Sequence, residues 1–599
     1  MKLSIAVHGA NGKSLYCKIV LRSLNSGTEQ YQETVYCGGD HIFDLKKGTY
    51  QVAVFRGKLY KPYSERIKLG EREELDRLEE LGERDDCGLS GLREPRELGE
   101  FYKLAITLKE IVDPKTLGLY SFDAHSHVSR DDTLKTGDLL TASTIMRAEG
   151  FDFFFAGSPY DNETHMEYIN RCFPKPEPYR ERFAGEISRA NGESFMLDIG
   201  NEMIKCRYGH VFMMNFLQKP PFSQYFDHAF DPWLFEKIGD EPPYEIDYIY
   251  KAAQREKGGN SVAIAAHPTS WWWHDNGEFI TNIAATLGFE LLAGSIDAMV
   301  VMGYRSDHEH YQKLWFDALL NGYFLPGVAE TDAAFDAPPS RFLEHKTYTE
   351  ADAFTIDALC LAIKAGRNLV SSGPLLSLRV DGKRPGDVLP WAPQEQVLIE
   401  ISAIACCEAL LSKVQIIING EVHKEFHIRK ERYSVEETVC FPKEGFVIAK
   451  CYDFAGNVAM TNPVYIRNEP FVNRGYKANV RIATSQGGQP AKGFYWVGGG
   501  EKCTFEEKIN LKIKVCDDIH IQVGGEVKTL RLFELPELQE IFKNLYFGRF
   551  NEDMRYMPGE VPPEAFCLKR IKKILDSVQI SVEFKDCTAG APLPLCAEF

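Results

Sequence analysis

The sequence predicts an α/β domain flanked by all-β sandwich domains, and three features of the chain carry that prediction. Residues 1 to 70 have the pattern of short strands separated by turns. Residues 116 to 375 alternate apolar strands with amphipathic helices, which is typical of βα units around a parallel sheet or barrel. After residue 376 the helices become scarce and strands return. The length of 599 residues requires several domains, because hydrophobic cores stop growing at roughly 250 to 300 residues.

The N-terminal segment is predicted to be a small β-sandwich. Between Gly48 and Gly57, the side chains of Tyr50, Val52 and Val54 alternate with their neighbours as they do in a half-buried strand. The next stretch, residues 71 to 115, opens with densely charged sequence and a thin leucine stripe, which favours a surface helix or a solvated connector.

The central region, residues 116 to 375, shows helical and strand periods in turn. Leu139, Ala142 and Met146 have helical spacing, and Gly150 ends that helix before an apolar strand. A second strand, 261 to 266, ends directly before a His-Pro pair. Because loops at the carboxyl ends of parallel strands are held by a rigid scaffold, polar residues at these strand ends are candidates for function.

The remainder of the chain is predicted to contain two further domains. Residues 376 to 469 carry strand patterns with turn signals that predict an immunoglobulin-like β-sandwich. Residues 470 to 599 add strands and two helical stretches, which predicts a C-terminal α+β domain.

Composition excludes several classes of protein. With 44% hydrophobic and 26% charged residues the chain is globular, and a net charge of -17 opposes binding to nucleic acid or anionic lipid. The opening residues turn polar too soon for a signal peptide, and no stretch of about 18 apolar residues follows, so we expect a cytoplasmic protein that does not enter a membrane. The 15 cysteines include no Cys-x-x-Cys pair, which argues against a disulfide framework and a thiolate zinc module.

Potential metal ligands are spread between Asp123 and Asp332. His125 and His127 are separated by one residue, so their side chains project to the same side of an extended segment and can hold one cation. On its own such a pair is more often structural than metal-binding. Carboxylates and imidazoles at later strand ends supply the other ligands that a hydrolytic metal site requires, namely Glu202, His210, His267 and Asp332.

In this order the motifs resemble those of the PHP (polymerase and histidinol phosphatase) superfamily of metallohydrolases, and most of all its CehA/McbA-type members. The matching motifs are Asp-x-His-x-His at Asp123 to His127, Glu202 ahead of Gly209-His210, His267-Pro268 and the terminal Asp332. The likeness covers most of residues 1 to 470, although only the metal motifs are specific. It implies a PHP-like distorted (β/α)7 barrel over residues 116 to 375 with a β-sandwich on each side.

The resemblance also implies two divalent metal ions, with Zn, Mn and Fe left open. One ion would take His125, His127, Glu202 and Asp332, and the other would take His210 and His267 and share Glu202 as a bridge. A metal-activated hydroxide between the two ions would then be the nucleophile. For Asp123 two interpretations stay equally open, since it can orient a histidine from behind or only cap the end of the strand.

A third metal, which many PHP proteins bind, is expected to be absent. Ser158 and Pro159 stand where the family has Asp and His after the second strand, and Ala334 stands two residues after Asp332 in place of a histidine. None of these three residues can replace an imidazole or a carboxylate at a metal.

Several residues near the predicted rim are candidates for substrate contact. Trp271, Trp272 and Trp273 follow the His-Pro pair and would form a wall against a sugar or aryl group. His274 is a candidate proton donor to the leaving group, and Arg305 is a candidate partner for an anionic substrate group. Surface exposure of His274 and an ion pair of Arg305 with an acidic residue are the structural alternatives. Catalytic roles are otherwise assigned to Asp332 and Glu202.

The sequence thus predicts a metal-dependent hydrolase that cleaves an ester-type bond (carboxylic ester, carbamate or phosphoester) of a small molecule. The alternative is a non-catalytic carbohydrate-binding protein with a degenerate metal site. Besides the small-molecule substrate no nucleic acid or membrane partner is expected, and a homo-oligomer is compatible with the sequence.

Overall fold

The protein is mostly β and its sheets pack in sandwich-like pairs. The computed structural model describes residues 1–24, 31–70, 96–98, 101–128, 137–157, 181–205, 209–216, 259–273, 279–283, 287, 290–291, 294, 296–303, 308–335, 343–474, 477–514, 517–532, 535–538 and 568–585.

The N-terminal strands form two four-stranded sheets around one core. The strands are β1 (Lys2–His8), β2 (Cys17–Ser23), β3 (Gln32–Cys37), β4 (Asp40–Asp44), β5 (Gly48–Phe55), β6 (Tyr60–Lys61), β7 (Tyr63–Leu69), β8 (Arg96–Leu98), β9 (Phe101–Thr107) and β10 (Lys109–Glu110). One sheet has the order β4-β1-β9-β8 and the other has the order β3-β2-β5-β7. In β5 the side chains of Tyr50, Val52 and Val54 are buried, as their alternation predicts. Strand β9, which pairs in parallel with β1, comes from the range that was predicted as a connector.

Within its described residues, the central region contains thirteen strands, four helices and a 3-10 turn (Pro114–Leu117). The strands are β11 (Leu119–Phe122), β12 (Ser126–His127), β13 (Phe153–Gly157), β14 (Met196–Lys205), β15 (Gly209–Met214), β16 (Val262–Ala266), β17 (Thr269–Trp273), β18 (Phe279–Ile283), β19 (Ala298–Met302), β20 (Gly327–Ala329), β21 (Ala333–Ala334), β22 (Lys346–Glu350) and β23 (Asn368–Ser371). The helices are α1 (Asp138–Ala148), α2 (Ala184–Ala190), α3 (His308–Leu320) and α4 (Ile356–Lys364).

Strand pairing in this region runs from β12 through β13, β14, β15, β16 and β19 to β20, which continues into β21. Strand β21 in turn pairs in parallel with β12. A (β/α)7 barrel is nevertheless not evident over the residues that can be described. Strand β15 is antiparallel to both neighbours, and a βα barrel requires parallel strands with a helix after each one.

The inner strands β13, β16 and β19 are buried on both faces. Such strands are continuous apolar runs, because helices or other layers cover both sides of the sheet. Helix α1 buries Leu139, Ala142 and Met146 as predicted, and Gly150 beyond its end has a positive φ of 79°. Polar groups therefore have room only where these strands end.

The second sandwich is joined to the central sheet by hydrogen bonds, because β23 pairs with a strand of the sandwich at Leu369↔Thr461. Its strands are β24 (Leu375–Val380), β25 (Val388–Leu389), β26 (Gln396–Ile404), β27 (Leu411–Ile418), β28 (Glu421–Lys430), β29 (Arg432–Cys440), β30 (Gly445–Asp453), β31 (Val458–Thr461) and β32 (Val464–Ile466).

The C-terminal part contains two four-stranded sheets and helix α5 (Leu568–Leu575). The strands are β33 (Ala478–Gln486), β34 (Gln489–Pro490), β35 (Gly493–Val497), β36 (Cys503–Phe505), β37 (Lys508–Ile513), β38 (Ile519–Val523), β39 (Glu526–Leu530) and β40 (Val578–Phe584). Within the described ranges, no helix has both the length and the apolar character needed to cross a bilayer.

Candidate metal centre

Two chain segments that are distant in sequence meet at the ends of buried strands. The first follows β11 and includes His125, and the second follows β20 and includes Asp332. The Asp332 amide donates a hydrogen bond to the His125 carbonyl at 2.9 Å, and β12 and β21 then continue side by side in parallel. This pairing fixes the backbone from which the candidate ligands project.

Asp123 holds the two segments together through their backbone. Its carboxylate accepts hydrogen bonds from the amide of His125 at 3.1 Å and from the amide of Thr331 at 3.0 Å. The Thr331 hydroxyl donates to the same carboxylate. Burial raises the pKa of Asp123 to about 7, although these hydrogen bonds oppose that rise. The hydrogen-bond donors to Asp123 are thus two backbone amides and a hydroxyl group, which are the contacts of a strand-end cap.

Four of the predicted metal ligands converge on one point. The Nε2 atoms of His125 and His127 lie 2.9 Å apart. Oε2 of Glu202 lies 3.3 Å from the first nitrogen and 3.0 Å from the second. Oδ1 of Asp332 lies 3.6 Å and 3.4 Å from the same two nitrogens.

These separations match the donor set of a small divalent cation. Ligand atoms placed about 2.1 Å from a tetrahedral ion lie roughly 3.4 Å from one another. The donors are two imidazoles and two carboxylates, which suits Zn, Mn or Fe, and they lie deep in the protein. The side chains of His125, His127 and Glu202 are exposed by 0, 3 and 4%, and that of Asp332 by 14%. Uncompensated charges at such depth are costly, and a bound cation removes that cost.

Glu202 faces a second imidazole with its other oxygen. Oε1 of Glu202 lies 3.5 Å from Nε2 of His267, whose ring centroid is 5.5 Å from that of His125. Glu202 therefore presents one oxygen to the pair His125 and His127 and the other oxygen to His267. This is the arrangement that a carboxylate bridging two metal ions requires.

Glu330 is the residue at this site that the sequence reasoning did not assign. It is fully buried, its Oε2 lies 3.0 Å from Nδ1 of His125, and its Oε1 accepts from the backbone amide of His267 at 2.8 Å. His125, His267 and Glu330 also form a second cluster of possible ligands beside His125, His127 and Asp332. Because both Glu330 oxygens already have partners on the two histidines, we interpret Glu330 as the group that orients them.

The charges of the site shift its pKa values in opposite directions. Burial would lower the pKa of His125, but the carboxylates of Glu202 and Asp332 raise it well above the usual value. Burial would raise the pKa of Asp332, but His125, His127 and His267 lower it. The imidazoles and carboxylates thus stabilise one another's charge, and a bound cation would replace the imidazole protons.

Unusual backbone conformations and close backbone approaches also occur at the candidate metal centre. His267 and Asp332 have positive φ values of 26° and 47°, which non-glycine residues seldom adopt and which concentrate at functional sites. Gly303, with a φ of 148°, makes room for Glu330, because a Cβ at that glycine would lie 2.3 Å from the Glu330 carbonyl oxygen. Gly200 similarly leaves space for the ring of Phe212, whose centroid is 4.9 Å from that of His125.

The other predicted site residues are less fully described. His210 lies on β15 opposite Ala266 in the strand pairing, but its side chain is outside the described part. The backbone of Trp271, Trp272 and Trp273 forms β17, which pairs with β18. His274, Arg305, Ser158 and Pro159 lie outside the described residues, and Ala334 pairs with His127 through its backbone.

Comparisons with known proteins do not identify the function, so its interpretation depends on the residues described above. No protein-family model matches the chain, and no curated protein matches it either. A solved two-domain protein from Bacteroides vulgatus, which contains a predicted PHP-like metal-dependent phosphoesterase, is similar with a TM-score of 0.30 and 12% identity over 58% of this chain and 96% of that one. The CARDB domain of a Pyrococcus furiosus protein is similar with a TM-score of 0.13 and 19% identity over 16% of this chain and 97% of that one. TM-scores this low do not establish a shared fold.

Proposed function

We propose that the chain is a metal-dependent hydrolase of the PHP superfamily, of the CehA/McbA type, that cleaves an ester-type bond in a small molecule. The observation that carries the proposal is the position of Glu202, which places one oxygen beside His125 and His127 and the other beside His267. A carboxylate with imidazoles beside each of its two oxygens can bridge two metal ions.

We assign the candidate ligands to two cation positions. The first ion would be held by His125, His127, Asp332 and one oxygen of Glu202. The second ion would be held by His210, His267 and the other oxygen of Glu202. Two divalent ions, when bound, supply a Lewis acid for the scissile carbonyl or phosphoryl group and lower the pKa of water.

The chain's own groups position these ligands. Glu330 fixes the ring of His125 through Nδ1, which leaves Nε2 to face the cation. Asp123 and Thr331 hold the two segments at a fixed distance. Since Asp332 is the most exposed of the ligands whose side chains are described, we propose that the substrate approaches from its side.

We propose a distorted PHP-like barrel as the scaffold, and the parallel pairing of β21 with β12, which returns the circuit of strands to its start, supports it. Strands β12 and β14, which carry His127 and Glu202, lie on either side of β13, and Asp332 directly precedes β21, which pairs with β12. The proposed domains are 1–70, 71–115, 116–375, 376–469 and 470–599, with the catalytic site in the third.

The test combines metal analysis with turnover on matched substrates. The full chain, loaded with Zn, Mn or Fe, is assayed on aryl esters, aryl carbamates and phosphodiesters that share one leaving group. We expect hydrolysis of one class and its loss in Asp332→Asn. Glu186→Gln serves as the matched control, since Glu186 is a buried carboxylate that accepts from the Gly137 amide at 2.8 Å and lies outside the cluster. Stoichiometric metal without turnover of any class would instead support the non-catalytic binding protein.

A further inference from the structure

A cavity of about 390 Å³ lies between the central strands and the second sandwich. This volume falls within the range of small-molecule pockets, which is roughly 300 to 1,000 Å³. Leu119, the first residue of β11, is part of its wall, whereas Asp123 follows the last residue of the same strand. The cavity and the metal centre are therefore at opposite ends of β11 and are separate sites.

The floor of the cavity is one face of the sheet β24-β26-β29. Ser377 pairs with Ser402 and Leu375 pairs with Ile404 across β24 and β26, and Ile404 pairs with Arg432 of β29. Because side chains alternate along a strand, residues two apart in these rows share a face. Leucines 117 and 119 from the central region complete the apolar wall.

The charges of the cavity are unbalanced in favour of arginine. Its wall contains Arg367, Arg379 and Arg432 but one carboxylate, that of Glu350. Glu350 pairs with Arg384 at 2.7 Å, so its contact with Arg379 at 3.5 Å is the weaker of the two. Arg379 and Arg384 thus share the single carboxylate of Glu350. This local excess of positive charge contrasts with the net charge of -17 of the whole chain.

The position of Arg379 suits an anionic ligand. Arg367 is paired with Asp387 at 2.8 Å, and Arg432 donates to the Ile111 carbonyl at 3.1 Å. Nη1 of Arg379 donates to the Leu378 carbonyl at 3.1 Å, and a carboxylate that enters beside Arg379 would accept from the remaining N–H groups of its planar fork. Leu117, whose exposed fraction of 49% is high for a leucine, would cover the apolar part of the ligand at the mouth.

From this geometry we infer that the cavity binds a small amphipathic carboxylate, with its head at Arg379 and its hydrocarbon body against Leu117, Leu119 and Ile404. The charge surplus selects an anion, and the leucine wall selects an apolar body. The site is distinct from the proposed hydrolytic centre and does not depend on it.

The experiment compares three probes of equal chain length, octanoate, octanamide and octylammonium, by titration calorimetry on the full chain. We expect octanoate to bind and the neutral and cationic probes to bind at least about tenfold more weakly, because a charge-assisted hydrogen bond is worth about 1.5 to 3 kcal/mol. Arg379→Gln should weaken octanoate at least about tenfold, and Ser402→Trp, which fills the floor, should abolish binding.

Two controls separate this site from others. Arg429→Gln changes an arginine that packs on Phe454 and is absent from the cavity wall, so it should leave octanoate binding unchanged. Asp332→Asn should also leave it unchanged, whereas a carboxylate bound at the metal centre would be lost in that variant. The inference is wrong if octanoate does not bind, if the three probes bind equally, or if folded Ser402→Trp, checked by circular dichroism, binds octanoate as the parent does.

Discussion

Histidines differ in burial between the N-terminal sandwich and the central strands. In the sandwich, β4 is exposed on alternate residues, and His41 is half-buried with its ring against Phe43 at 4.5 Å. In the central region, β13, β16 and β19 are buried on both faces, and His127 and His267 lie at strand ends with exposures of 3% and 2%. Burying a polar group is costly unless it is paired. A fully buried sheet therefore keeps polar residues at its ends only where they are compensated, here by carboxylates and by the proposed cations.

The largest effect in this comparison is expected from Glu202→Gln. The change removes the charge that faces both groups of histidines, so the protein should lose bound metal. Turnover should fall by on the order of 10³, since a cation stabilises developing charge by several kcal/mol. Metal content by mass spectrometry and initial rates are the measurements. Glu186→Gln should keep both, and full metal content in Glu202→Gln would contradict the bridge.

Substitutions of two isoleucines compare a central strand that is buried on both faces with a half-exposed strand of the N-terminal sandwich. Ile264 on β16 is fully buried, whereas Ile42 on β4 is 55% exposed. Ile264→Ala should lower the free energy of unfolding by about 2 to 5 kcal/mol, and Ile42→Ala should change it by less than about 0.5 kcal/mol. Urea denaturation of both variants measures the difference. Equal losses would show that the two sheets are not packed differently.

The variant Glu330→Gln tests whether Glu330 orients the histidines of the metal centre. The amide keeps the size of the side chain but replaces one acceptor oxygen with a donor group, so the contacts with His125 Nδ1 and the His267 amide cannot both be kept. We expect metal affinity to fall by about 10- to 100-fold, as for other groups that orient ligands. Competition with a fluorescent chelator gives the affinity. A loss as complete as that of Glu202→Gln would make Glu330 a ligand instead.

The smallest effect concerns a buried charge away from the metal centre. Burial lowers the pKa of Lys346 from 10.5 to about 8, although Glu149 and Asp152 oppose this shift. The folded protein then releases this proton near pH 8 and the unfolded chain near pH 10.5, so between these values the unfolded chain binds more protons. The contribution of Lys346 to the free energy of unfolding should therefore rise with pH across that window.

The variant Lys346→Met should lack that rise. Between about pH 7 and pH 10, the denaturant midpoint of the parent should rise relative to that of the variant as the pH increases. Lys383→Met, at an exposed position, is the control and should follow the parent at all pH values. Parallel curves for Lys346→Met and the parent would contradict the lowered pKa.

The sequence allowed some of this arrangement to be predicted because the signals were local. Alternation alone predicts that His125 and His127 share a side, and helical spacing predicts the buried residues of α1. The antiparallel pairing of β15 and the continuation of the central sheet into the second sandwich depend on distant partners, so no local pattern indicates them.

Glu330 was missed for a related reason. The motif Glu330-Thr331-Asp332 follows a buried strand, and both acids share one side of an extended segment, which was the available signal. The role of Glu330 depends on contacts with His125 and His267, which are 205 and 63 residues away. Only the folded chain brings these groups together.

Anomalous diffraction from crystals of the full chain, grown with Zn or Mn, tests the central claim most directly. We predict one peak within about 2.0 to 2.3 Å of Nε2 of His125 and His127, and a second on the other side of Glu202, beside His267. Saturating metal with no peak among His125, His127, Glu202 and Asp332 would contradict the account.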